Sequence, residues 1–99
     1  MGSFGMSNRL AREIAQLALE SHDFRIYDPA VIKELTMIVG YAHMLETDYP
    51  AFAGKIAALR KHVQAFSNLA NGHGHRDLFV HSERILELLD CAPGFHTAA

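Results

Sequence analysis

The stretch DPAVIKELTMIVGYAHMLE, residues 28–46, decides the fold class. Asp28 ahead of Pro29 reads as a helix start: an N-cap carboxylate, then a proline at the first helical position, where a missing N–H leaves nothing unpaired. With residues set about 100° apart on a wheel, Val31, Leu35, Ile38, Ala42 and Leu45 form one apolar stripe. Ile32 and Val39 widen it on one flank, while Met37, Tyr41 and Met44 make a second stripe on the other. Apolar residues then take roughly two-thirds of the circumference, where a one-sided surface helix needs an arc of about 100° or somewhat more. Only Lys33, Thr36, Gly40 and His43 form a polar face, and Glu34 interrupts the apolar arc. Such a helix has to be covered from two sides, by the rest of the chain or by another protein.

Outward from this helix, the same periodicity recurs. Ser7 is a good N-cap residue for a first helix, with Leu10, Ile14 and Leu17 inside, Ala11, Ala15 and Ala18 beside them, and Arg9, Arg12, Glu13, Gln16 and Glu20 outside. That helix ends near Ser21-His22-Asp23, and the aromatics of the linker from Phe24 to Tyr27 are expected to pin it to the core. Thr47-Asp48 cap a third helix, with Pro50 tolerated in its first turn. Phe52, Ile56, Leu59, Val63, Phe66 and Ala70 keep an uninterrupted 4-3-4-3-4 spacing, which predicts one helix of roughly 22 residues, about 33 Å long. Asn71-Gly72 stops it, Gly72 being read as the left-handed residue after a helix. Asp77 is the expected cap of a last helix carrying Leu78, Ile85, Leu88, Leu89 and Ala92 on one side, which Pro93-Gly94 ends.

No strand-length alternation and no internal repeat is present. Short connections between helices favour antiparallel neighbours. The expected fold is therefore all-α: a four-helix antiparallel bundle-like single domain over residues 1–99, with 1–6 a leader and 93–99 a flexible tail, dimerising through the second helix.

Composition narrows the function. With 99 residues, 49% apolar and 20% charged, the chain has ordinary globular make-up and enough length to bury a core without metal or disulfide staples. A net charge of −2 argues against a dedicated nucleic-acid binder, which usually carries a basic excess. The single cysteine, Cys91, cannot form an internal disulfide and points to a reducing compartment. The first residues lack a signal-peptide pattern, and no apolar run is long enough to span a bilayer. A cytoplasmic protein with no membrane partner is the expectation.

Seven histidines stand at positions 22, 43, 62, 73, 75, 81 and 96. A transition metal wants three or four converging ligands, which helices supply at i, i+3 or i+4, and no histidine pair has that spacing on a predicted helix. His43 with Glu46 is a single pair in the order opposite to Glu-x-x-His, and His73 with His75 offers two ligands in a turn. No metal or cofactor is expected; a metal- or ligand-binding bundle ranks as the third reading.

His81 falls inside the apolar arc of the last helix, among Leu78, Ile85 and Leu88. An unpaired polar group there costs roughly 1–3 kcal/mol, so a core histidine bonded to a carbonyl or carboxylate is expected. Arg76-Asp77-Leu78-Phe79-Val80-His81 also resembles the Arg-x4-6-His motif of HEPN-domain ribonucleases, themselves helical bundles. The resemblance covers these six residues. It implies Arg76 and His81 as a catalytic pair lining a cleft, usually at a dimer interface, that cleaves RNA without metal. No phosphate-binding loop and no Gly-x-Ser-x-Gly elbow accompanies it.

The leading expectation is a non-enzymatic regulatory protein that forms a homodimer and binds a larger protein partner through apolar helix faces. It would work as an antiactivator or adaptor does, for instance on a transcription factor. Met37, Tyr41 and Met44 are the first candidate interface residues, methionine being adaptable and tyrosine pairing a flat apolar body with a polar tip. Phe24, Ile26 and Tyr27 are the second set. Whether the first three are interface or intrachain core stays open from sequence.

Overall fold

A computed structural model describes residues 2–24 and 28–91, with side chains from 9 onward and up to 90. Five helices lie along these residues: α1 Gly2–Glu20, α2 Pro29–Thr47, α3 Tyr49–Ala53, α4 Ile56–Gly72 and α5 Arg76–Cys91. No strand occurs among the described residues. The linker candidates Ile26 and Tyr27 and the tail beyond 91 lie outside them.

The α2 start follows from its capping chemistry: the Asp28 carboxylate accepts the Ala30 N–H at 2.9 Å, and Pro29 opens the helix. The first helix starts earlier than expected. It is helical from Gly2, so Ser7 lies inside it; extending a formed helix adds one bond per residue fixed, which a local capping preference does not overrule.

The predicted single third helix is two. Asp48 caps α3, accepting from the Ala51 N–H at 3.3 Å, but the run closes after one turn. Gly54 N–H bonds the Ala51 carbonyl at 3.2 Å and Lys55 N–H bonds that of Phe52 at 2.8 Å, the tighter i→i+3 pattern that finishes a helix. Gly54 keeps right-handed torsions, φ −83° and ψ −3°, so the chain turns without changing hand. Phe52, Leu59, Val63, Phe66 and Ala70 therefore still point inward, all fully buried.

At the end of α4, the left-handed residue is Gly74, φ +76°, two positions beyond the glycine expected. His75 N–H reaches the Ala70 carbonyl at 2.9 Å and Gly74 N–H that of Asn71 at 3.1 Å, the paired bonds of a Schellman motif with Gly74 at C′. The α5 start also lies two residues earlier than expected, at Arg76. Phe79 N–H bonds the His75 carbonyl, which makes His75 the capping position. Asp77 lies in the first turn, where its charge faces the positive end of the helix dipole.

Packing runs in a cycle: α1 on α2, α2 on α4, α4 on α5 and α5 back on α1, with α3 against α2. The core is continuous, with Leu10, Ile14, Leu17, Val31, Ile38 and Ile85 among its buried side chains. At one end Phe24, 2% exposed, joins two connections. Its ring meets Phe66 edge-on at 6.0 Å, His73 at 5.2 Å and His75 at 4.4 Å. Gly74, with its left-handed torsion, lies between these two imidazoles.

Candidate functional site

The outer side of the α1–α2 seam is apolar and open. Ala11, Ala15 and Ala18 on α1 and Ala42 on α2 are short, so the seam forms a trough. Two adjoining depressions run along it, of about 540 Å³ and about 250 Å³, sharing Ala18 and Val39. Large apolar side chains stand up around the trough: Leu19 is 72% exposed, Ile32 48% and Val39 44%. Thr36, His43 and Glu46 supply the polar edge. Exposed aliphatic side chains scattered singly are normal; a contiguous group around a depression is what marks interaction surfaces.

The residues singled out from sequence lie elsewhere on α2. Met37 is 39% exposed, while Tyr41 and Met44 are half-buried and pack on the core. Tyr41 lies 6.0 Å from the His62 ring, and His62 Nδ1 is 2.9 Å from Glu34 on α2, so this flank faces α4. Phe24 is buried within the chain, as above. Leu19 was not singled out in sequence, although a leucine opposite the Leu10–Ile14–Leu17 stripe is a visible anomaly.

On the other side of α1, the α1–α5 seam holds a polar trio. His81 is 6% exposed; its Nε2 lies 2.7 Å from Glu13 Oε1 and its Nδ1 2.8 Å from Glu20 Oε1. Glu13 and Glu20 are seven residues apart, about 10.5 Å along the helix, which brackets an imidazole and two hydrogen bonds. The bond to His81, chief among several influences, holds the Glu20 carboxyl below the usual carboxylate range; Gln16 and Arg84 act in the same direction and partial burial opposes them. Both ring nitrogens are engaged from opposite edges, so the two carboxylates do not converge on a common point.

Arg76 stands beside the trio rather than in it, with Glu20 common to both surroundings. It lines an open cleft of about 630 Å³ with Glu20, Asp23, Phe24, His75 and Asp77, and His81 is not among the lining residues. The Arg76–His81 pair of the ribonuclease-like motif therefore does not share that cleft. Among the described residues no group of three or more His, Cys, Asp or Glu is positioned to hold a metal ion, and no helix is long and apolar enough to cross a membrane. Comparison with family models, curated proteins and solved structures returned no match.

Proposed function

We propose that the chain is a non-enzymatic helical interaction protein, a four-helix-bundle-like adaptor or antiactivator that self-associates and acts on a larger protein such as a transcription regulator. The observation that carries this reading is the open apolar trough between α1 and α2, ringed by Leu19, Ile32 and Val39. The cyclic packing of α1, α2, α4 and α5 supports the bundle description and leaves this trough as an apolar strip facing outward. A second copy of the chain is the occupant proposed: two troughs related by a two-fold axis would place the same aliphatic residues against each other. Against RNA cleavage through Arg76 and His81 stands the engagement of both His81 nitrogens within the fold.

Light scattering on the full chain tests the reading, with Leu19→Glu as the variant. The wild type should run as a dimer at tens of micromolar. Leu19→Glu should run as a monomer of unchanged helix content, since an exposed side chain (72%) carries little of the core. A wild-type monomer, or a dimer indifferent to charge at Leu19, overturns self-association through this trough.

A further inference from the structure

Three histidines reach carboxylates on other elements, and their proton requirements differ. His62 meets Glu34 through Nδ1 alone, at 2.9 Å, and His73 meets Asp28 through Nε2 alone, at 2.8 Å. A neutral imidazole carries one N–H and satisfies a single contact by its choice of tautomer. His81 meets a carboxylate at each nitrogen. An ionised carboxylate only accepts, so two hydrogen bonds require two protons among the three groups, leaving the trio with a net charge of −1.

We infer that Glu13, His81 and Glu20 form a proton-dependent latch that holds α1 on α5 while the trio keeps its second proton and loosens when that proton leaves. After the loss, a carboxylate oxygen faces the lone pair of a ring that is only 8% exposed; the Glu13 and Glu20 side chains, 24% and 42% exposed, can turn to water, which breaks the α1–α5 bond and leaves the shielded ring nitrogen without a donor. The groups facing the ring are Glu13 and Glu20 from α1. Gln16 donates to Glu20 at 3.2 Å, and Arg84 on α5 favours the ionised Glu20. Across the α4–α5 seam, the Ser67–Glu83 and Arg60–Asp90 contacts do not involve His81.

The Glu20 carboxyl sits below its ordinary range, so its stabilising part is present above that range and disappears only as pH falls through the lowered value. By the proton count above, removal of the second proton opens the latch from the alkaline side. None of this depends on what the α1–α2 trough binds, although α1 is one wall of that trough.

Thermal unfolding of the full chain between about pH 6 and about pH 8.5 reads the latch, with wild type, Glu20→Gln, Glu13→Gln and His62→Gln compared. An amide at either glutamate position can donate to an unprotonated ring nitrogen, so the trio then needs only one ring proton. The wild-type Tm should fall across this range by about 4–8 °C, the usual scale for one such interaction in a domain of this size. Glu20→Gln should lose at least half of that fall, Glu13→Gln should behave alike, and His62→Gln should keep it. Hydrogen exchange corrected for the intrinsic rate should show the protection lost from α1 rather than α4. A wild-type profile that is flat, or an undiminished fall in whichever glutamine variants fold, overturns the latch.

Discussion

Two glycines at the end of α4 should respond in opposite directions to the same substitution. Gly74 has φ +76°, and a Cβ added there meets nothing within 4 Å. The cost of Gly74→Ala is therefore purely conformational: about 1–2 kcal/mol for an L-residue in the left-handed region, offset by about 0.4–1 kcal/mol from a stiffer unfolded chain. A net loss of about 1 kcal/mol follows, or about 4–8 °C in Tm for a domain of this length. Gly72 is the last residue of α4 and a Cβ there also meets nothing. There alanine should gain about 0.5–1 kcal/mol, because glycine is the poorer helix residue, and Tm should rise by a few degrees. Calorimetry of the two variants beside the wild type, with circular dichroism to check helix content, is sufficient. Gly74→Asn provides the control, since asparagine visits the left-handed region and should lose less than alanine. If Gly72→Ala lost stability while Gly74→Ala did not, the helix would end at Gly72 and the Schellman arrangement around Gly74 would be refuted.

Other perturbations separate the remaining claims. Phe66→Ala removes a fully buried ring that also meets Phe24 edge-on; the expected loss is about 3–5 kcal/mol in urea unfolding, and a loss below about 1 kcal/mol would mean the ring is not core. Asp28→Asn should lower stability at neutral pH. The Asp28 carboxyl is held below its usual range first by the Ala30 N–H and then by His73, so its contribution is present above that range and lost as pH falls through the lowered value. Melting curves of the variant and wild type should accordingly converge in acid. His81→Ala should cost roughly 1–3 kcal/mol through its unpaired carboxylates, whereas exposed Arg76→Ala should stay within about 0.5 kcal/mol. Neither the wild type nor these variants should cleave single-stranded RNA in the presence of a chelator; cleavage abolished by both substitutions would restore the ribonuclease reading.

Local chemistry was legible in the sequence; long-range pairing was not. Asp28-Pro29 announces its helix because an N-cap acts on the next two residues, and the helix begins there. The Phe52–Ala70 spacing names buried positions except Ile56, which is only partly buried beside the Gly54–Lys55 break; the break itself stays hidden because a turn of the same hand lets the period pass through. Gly72 and Gly74 both qualify as a terminal glycine, and which one takes the left-handed torsion depends on the carbonyls it must satisfy. Glu13 and Glu20 fall with the polar residues of α1 on a wheel. Their partner is a histidine 68 and 61 residues away, which no helical period encodes. The α2 flank of Ile32 and Val39 was visible, but its exposure depends on how α1 crosses it. Met37, Tyr41 and Met44 were chosen on residue type, and the placement of α4 decides how much of them remains outside.

The clasp of Phe24 and His73–Asp28 also bears on how the chain folds. Asp28 and His73 are 45 residues apart, so their meeting closes a large loop, and the entropy of closure must be met before the contact returns anything. The turns ending α1 and α4 need only neighbouring residues and can form early; the clasp brings distant segments together. Substitutions at Phe24 or His73 should then separate kinetically from those in the individual turns, slowing folding if the clasp belongs to the transition state and speeding unfolding if it closes afterwards.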